Sequence, residues 1–171
     1  RSGSTIEVRL HPTLIANDHP LSQVNGSFNA VYLHGHACKE MMLQGRGAGD
    51  LPTASAVVGD ILHAATVDVH VHPTFVNSAN ADASLVFTND WKTRYFLRLS
   101  IQDEPGSLAK IATWLSSEQV SIATMMQKAE LAGSRVPLII ITHEANEQAI
   151  RAALAKFDPE VCTVENMIRV E

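Results

Sequence analysis

The sequence has little cysteine, no excess of basic charge and no long apolar run. Its two cysteines, Cys38 and Cys162, lie far apart, so neither a disulfide framework nor a cysteine-based zinc site is indicated. Thirteen Lys and Arg residues against eighteen Asp and Glu residues give a net charge of −5, which supplies no basic surface for nucleic acid or an anionic membrane. No apolar run approaches the roughly 20 residues that span a bilayer. We therefore expect a protein of the reducing cytoplasm, with no nucleic-acid or membrane partner.

The chain of 171 residues is 46% hydrophobic and 18% charged, which suits folding around a core in one ordinary domain or two small ones. Three zones follow one another along it: residues 1–66, 67–92 and 93–171. In the first zone, Thr5–Leu10 alternates like a strand, and Ser27–His34 with Lys39–Gln44 indicates a hairpin around Gly35. A helix is predicted over residues 52–66. The second zone is small and polar, and we interpret it as a linker with one short strand near Leu85–Phe87.

The third zone has the clearest periodicity. The pattern predicts a strand over Tyr95–Ile101, a helix after Pro105, and strands over Val120–Lys128 and Val136–Ile141. A second helix around Ile150–Phe157 and a last strand within residues 161–170 complete the order βαββαβ. With right-handed crossovers this order gives an antiparallel four-stranded sheet with both helices on one face. The fold class is therefore α+β: a strand-rich segment with one helix, then a ferredoxin-like domain.

The turn Asp103-Glu104-Pro105-Gly106 lies where the first strand of that domain leads into its first helix. Unpaired amides at a helix start suit a carboxylate, and Gly106 lets a ligand approach the backbone. Asp103 and Glu104 offer negative charge for an ammonium group, so the spot suits a zwitterion such as an amino acid. The alternative is a simple turn in which the acids only complement the helix dipole.

Gly45-Arg46-Gly47-Ala48-Gly49 joins a strand to a helix in the first zone. Such a loop lets a bulky ligand pass close to the backbone, but its spacing does not match the dinucleotide fingerprint. A tight turn without a ligand is the alternative. The pairs His34-x-His36 and His70-x-His72 have no third ligand at suitable spacing, so we predict no metal site.

The stretch Asp103–Ile122, with its D-x-P-G-x-L motif and following Val-Ser-Ile strand, resembles an ACT domain, a small regulatory module of amino-acid metabolism. The resemblance implies an effector amino acid held between two paired modules, with the loop of one facing the second strand of the other. The effector-binding positions it implies are Asp103, Glu104, Gly106, Ser107, Leu108, Ile122 and Gln127.

The first zone resembles the carboxy-terminal part of the catalytic domain of homoserine dehydrogenase. The resemblance rests on Val8-Arg9-Leu10-His11-Pro12-Thr13-Leu14-Ile15, on Val24-Asn25-Gly26-x-Phe28-Asn29-Ala30, and on the glycine loop followed by Pro52-Thr53-Ala54-Ser55-Ala56. It implies that Gly45, Gly47 and Gly49 lie near the nicotinamide of NAD or NADP, and that threonine acts on the ACT module as end-product inhibitor.

The resemblance also defines what we expect to be missing. The family's Rossmann domain and catalytic lysine match no part of this sequence, so the chain is expected to be a C-terminal fragment that is inactive alone and contains no catalytic residue. The alternative is a non-enzymatic amino-acid sensor. In either case residues 1–49 supply few strands, so we expect at least a homodimer.

Overall fold

The computed structural model describes residues 5–66, 86–88, 91–127 and 135–171. Contacts divide the chain into two units, Arg1–Leu14 with Ser84–Glu171, here called the sheet unit, and Ile15–Ala83, here called the hairpin unit. The elements in chain order are β1 (Thr5–Ile6), β2 (Thr13–Leu14), a 3₁₀ turn (Pro20–Gln23), β3 (Phe28–Gly35), β4 (Lys39–Arg46), α1 (Asp50–Thr66), β5 (Val86–Phe87), β6 (Lys92–Gln102), α2 (Ser107–Ser117), β7 (Ile122–Gln127), β8 (Arg135–Thr142), β9 (Ala145–Asn146), α3 (Glu147–Ala155) and β10 (Cys162–Val170).

The sheet unit contains the predicted ferredoxin-like arrangement. Its main sheet has the strand order β2-β10-β6-β8-β7, in which the pairs β10-β6, β6-β8 and β8-β7 are antiparallel. The four strands of the βαββαβ order are arranged across the sheet as β10-β6-β8-β7. The helix α2 connects β6 to β7, and α3 connects β8 to β10. The predicted fold class is confirmed.

Alternation along β6 creates the core. Tyr95, Leu97 and Leu99 are fully buried, and Ile101 is 1% exposed, while the residues between them face the opposite side of the sheet. β8 contributes Leu138 and Ile140 to the same face, in register with β6. The apolar stripes of both helices cover this face through their buried residues, Ile111, Leu115, Ile150 and Ala153.

Residues 5–14, which begin the first zone of the sequence, belong to the sheet unit. The rest of that zone belongs to the hairpin unit. Thr13 and Leu14 form β2, which pairs in parallel with the end of β10, and the Glu171 amide donates to the Leu14 carbonyl at 3.0 Å. The predicted strand Thr5–Leu10 was too long. Only Thr5–Ile6 is paired, because its partner β5 is itself two residues long.

The hairpin unit contains the two-stranded hairpin that the sequence predicts. β3 and β4 pair from Phe28 with Arg46 to Gly35 with Lys39. Val31 lies opposite Leu43 and Leu33 opposite Met41, so the middle of one face of the hairpin is apolar, and these four side chains are 40–57% exposed. α1 begins two residues before the predicted start, and none of its residues is buried.

Glu147, the first residue of α3, is a hub of ion pairs in the sheet unit. Its carboxylate accepts from Arg169 at 2.5 Å and from Arg151 at 2.7 Å, and lies 3.6 Å from Arg9. The hydrogen bond from Arg169 holds the pKa of this carboxyl below its usual value, although partial burial opposes the shift. Arg9 therefore connects the amino-terminal segment to α3.

Most of the predicted linker, together with His70 and His72, lies outside the described residues. Its predicted short strand lies within them as β5. No helix in the described part of the chain is long and apolar enough to cross a membrane.

Thr142 provides a test of this packing. Its side chain is fully buried, and its hydroxyl accepts from the Tyr95 amide at 3.0 Å, where the pairing of β6 with β8 ends. Thr142→Val keeps the shape but leaves a buried amide without an acceptor, and we expect a loss of about 1–3 kcal/mol in the free energy of unfolding in urea. Thr124→Val, on the exposed part of β7, should change it by less than about 0.5 kcal/mol. Equal effects would contradict the assigned role of the hydroxyl.

Candidate functional site

The turn that the sequence predicts at Asp103–Gly106 lies between β6 and α2. Gly106 lies at the N-cap of α2 with φ 95°, a left-handed conformation that favours glycine, and no side chain caps the helix there. A Cβ built at Gly106 meets no atom within 4 Å, so the space beside this residue is open. The Ser107 amide donates to the Glu104 carbonyl at 3.2 Å, which closes the turn.

Two predicted site residues from different elements meet beside this loop. The Gln127 side-chain amide at the end of β7 donates to the Asp103 carboxylate at 3.1 Å, and both side chains are exposed. The contact arises because β6 and β7 are both antiparallel to β8, which lies between them. The carboxyl ends of β6 and β7 therefore lie at the same end of the sheet. A carboxylate and a side-chain amide together can bind an ammonium group and a hydroxyl.

A cleft of about 480 Å³ borders the other side of the loop. Its walls combine acidic and basic groups. Glu104 is suited to an ammonium group, and Lys110 and Arg135 are suited to a carboxylate, which are the two charges of a zwitterion. The lining residues are Gln102, Glu104, Pro105, Ser107, Lys110, Arg135, Asp158, Glu160 and Val161. Arg135 is held by its donation to the Ser100 carbonyl at 2.9 Å. The cleft therefore offers fixed charges of both signs.

Of the remaining predicted site residues, some lie beside the loop and one does not. Ser107 is 6% exposed but lines the cleft, and Leu108 is 37% exposed on α2. Ile122 lies at the opposite end of β7 from Gln127 and packs against the core, so one chain does not bring it to the loop. Sequence reasoning missed Arg135, Asp158 and Glu160, since they reach the loop only through strand pairing and a distant turn.

The structure of the hairpin unit requires glycine at two of the three glycine positions in the loop before α1. A Cβ at Gly47 would lie 1.8 Å from the Asn29 side chain, and Gly49 has φ 125° where the chain enters α1. Gly45 lies on β4 with open space beside it. Asp50 places an acid in the first turn of α1, which opposes a phosphate there. The described residues of this loop do not by themselves fit a dinucleotide.

The described histidines and acids do not converge on a metal. No group of three or more His, Cys, Asp or Glu side chains in residues 5–66, 86–88, 91–127 and 135–171 could hold an ion. His34 lies on β3, whereas His36 lies in the turn beyond it, so the two do not share a strand face.

Fold and site together define an α+β chain in which a ferredoxin-like sheet with an uncapped helix start accompanies a strand-rich hairpin unit. The sequence profile of the homoserine dehydrogenase family matches residues 2–62. Over 170 residues the chain is 37% identical to homoserine dehydrogenase from Corynebacterium glutamicum, covering 98% of this chain and 38% of that protein. It is 39% identical to the Pseudomonas aeruginosa homoserine dehydrogenase over 165 residues, covering 92% of this chain and 38% of that protein.

Solved structures agree with these relatives. The crystal structure of a homoserine dehydrogenase from Thiobacillus denitrificans superposes with a TM-score of 0.78 at 36% identity, covering all of this chain and 40% of that one. The chain belongs to the homoserine dehydrogenase family, and it spans about two fifths of the length of the relatives it matches.

Gly106 offers a direct test of the loop geometry. Gly106→Ala meets no steric obstacle but forces a side chain into the left-handed region, and we expect a loss of about 1–3 kcal/mol in stability toward urea. Gly59, inside α1, also has open space beside it, and Gly59→Ala should not destabilise the protein, because alanine is the better helix former. A harmless Gly106→Ala would show that the loop does not require this conformation.

Proposed function

We propose that the chain is the C-terminal part of a homoserine dehydrogenase and that its sheet unit is an ACT-type module that binds an effector amino acid. The observation that supports the proposal is the hydrogen bond from Gln127 to Asp103 beside the uncapped start of α2. Free amides would receive the effector carboxylate, and the Asp103 carboxylate would receive its ammonium group.

Threonine is the effector we propose. The family interconverts L-homoserine and L-aspartate 4-semialdehyde, and threonine is an end product formed from homoserine. Its hydroxyl has a partner of suitable chemistry in the Gln127 amide, which can both donate and accept. Glu104, Ser107 and Leu108 would border the ligand. Ile122 would contribute from the second strand of a neighbouring module.

The parent enzyme would use NAD or NADP as hydride carrier. We propose that Gly45, with open space beside it, faces the nicotinamide region once the rest of the enzyme is present, while Gly47 and Gly49 shape the loop. We assign none of the residues that the structure describes to proton transfer, and we propose that the chain does not turn over substrate alone.

The aliphatic faces of the hairpin unit support an assembly of at least two copies. Val31, Leu33, Met41 and Leu43 expose one continuous face of the hairpin, and α1 exposes Val58, Ile61 and Leu62 to more than half of their full areas. Such faces are normally covered by another chain or domain. The assembly that covers them would also pair two modules.

A non-enzymatic sensor is the second candidate, and the same loop favours it. An isolated amino-acid-binding module needs no more than the contacts of Asp103, Gln127 and the start of α2. The family match of residues 2–62, which lie largely outside the ferredoxin-like core, favours the enzyme.

Threonine should raise the melting temperature of the 171-residue chain. At ten times its dissociation constant, a ligand specific for the folded state adds about 1.4 kcal/mol, which corresponds to several degrees for a unit of this size. Asp103→Asn should abolish the shift by removing the charge that meets the ammonium group. Asp60→Asn, an exposed acid on α1, should leave it unchanged. A shift with another amino acid but not with threonine would reassign the effector.

Activity should depend on the part of the relatives that this chain does not span. The 171-residue chain should give no homoserine-dependent reduction of NAD or NADP above background, followed at 340 nm. A chain of the relatives' length that ends with this sequence should be active and inhibited by threonine. Turnover by the short chain would contradict the proposed fragment, and an inactive long chain would favour the sensor.

A further inference from the structure

The cleft beside the loop between β6 and α2 contains a buried hydroxyl that has no partner in the protein. Ser107, the first residue of α2, is 6% exposed and lines this cleft. Its amide donates to the Glu104 carbonyl, but its hydroxyl forms no hydrogen bond with any residue that the structure describes. A buried hydroxyl without a partner is unfavourable, so its place in the wall of a cleft points to a ligand that can form hydrogen bonds.

A ligand in the cleft can reach this hydroxyl. Five buried side-chain polar atoms in the described part of the chain are both fully occluded and without a partner, and the Ser107 oxygen is not one of them. The oxygen therefore retains accessible surface. The cleft that Ser107 lines has a volume of about 480 Å³, which admits a small molecule.

The start of α2 supplies further donors at the same place. No side chain caps the helix. The amides of Leu108 and Ala109 have no acceptor among residues 5–66, 86–88, 91–127 and 135–171. Amides in the first turn of a helix point back along its axis, here towards the loop, and they favour an anionic group. A carboxylate at this end of the cleft would therefore accept from these amides and from the Ser107 hydroxyl.

Lys110 supplies a positive charge beside these donors. It is exposed on α2 three residues after Ser107, a spacing that places two side chains on one helix face, and it lines the same cleft. Its ammonium group has no ion pair or hydrogen bond with the described residues. The other basic residue of the cleft, Arg135, already donates to the Ser100 carbonyl at 2.9 Å and to both carbonyls of Pro159–Glu160 at 3.4 Å. Lys110 is therefore the cation available to a ligand.

The charges of the cleft select a zwitterion and not a simple anion. Three acids line it, Glu104, Asp158 and Glu160, against the two bases Lys110 and Arg135. An anionic group is favoured only where the helix start and Lys110 adjoin. The acids elsewhere favour a positive group on the same ligand, and they repel a second carboxylate.

We propose that Lys110 and the Ser107 hydroxyl bind the carboxylate of the effector amino acid. The effector would lie over Gly106, beside which there is open space, with its ammonium group towards Asp103 and Glu104. The inference rests on the proposed function, since it assumes that an amino acid binds at this loop. It adds that the site extends into the cleft within one chain, and that Lys110 makes a free carboxylate a requirement for binding.

Titration calorimetry of the 171-residue chain with L-threonine and L-threoninamide tests the role of Lys110. Threoninamide has a neutral carboxamide in place of the carboxylate, and it should bind at least about tenfold more weakly than threonine. Lys110→Met removes the charge but keeps a good helix former. It should weaken threonine at least about fivefold and threoninamide by less than about twofold, because only the carboxylate meets the lysine. Lys92→Met, an exposed site at the start of β6, should change neither affinity.

Ser107→Ala tests the hydroxyl. Because this hydroxyl has no protein partner, its removal should not lower the midpoint of urea unfolding, yet it should weaken threonine at least about threefold. Ser116→Ala is the control, since the Ser116 hydroxyl donates to the Thr113 carbonyl near the other end of α2, and it should leave threonine binding unchanged.

The outcomes separate this inference from the proposed function. If threonine binds but Lys110→Met keeps the full preference for threonine over threoninamide, the effector loop stands and the role of Lys110 is wrong. A lower urea midpoint in Ser107→Ala would show that the hydroxyl stabilises the fold, contrary to the proposal. If neither threonine nor any other amino acid binds the unaltered chain, both proposals fail. If another amino acid binds in place of threonine, that amino acid and its amide give the same comparison.

Discussion

The burial of one face of β6 is the constraint on which the rest of the sheet unit depends. Tyr95, Leu97 and Leu99 are fully buried because β8 and β10 flank the strand and both helices cover the same face. Burying side chains of this size contributes about 1.5–3 kcal/mol each, which exceeds what any surface ion pair supplies. Since the strand is central, its two ends are fixed relative to each other, and each end places a different cluster of polar groups.

The polar groups of the sheet unit form two clusters, one at each end of β6. At the carboxyl end, Asp103 and Gln127 meet beside an uncapped helix start in an exposed loop. At the amino end, Glu147 pairs with three arginines, of which Arg9 and Arg169 are largely buried next to Trp91 and Arg151 is exposed. The first arrangement suits a ligand that comes and goes from solvent. The second holds the amino-terminal segment against α3 through the ion pair of Arg9 with Glu147.

Sequence patterns predicted the elements of the sheet unit because each has a strong local period. The alternation of Tyr95, Leu97 and Leu99 and the helical spacing of Ile150 and Ala153 reflect faces that the core buries. Such patterns contain no information on distant partners. Three contacts join segments far apart in sequence: the parallel pairing of β2 with β10, the approach of Arg135 to the loop between β6 and α2, and the ion pair of Arg9 with Glu147. Gln127 was identified by family resemblance, but its contact with Asp103 required the sheet.

The parallel pairing of β2 with β10 means that the sheet unit is discontinuous along the chain. Residues 15–83 are inserted between two pieces that lie side by side, so the unit's natural limits do not coincide with the start of β6. A trimmed domain made from residue 93 onward would lose the strand that covers the margin of β10. Its bare backbone groups would then be free to recruit another polypeptide, so a self-association seen only in that excised piece would be an artefact of where it was cut.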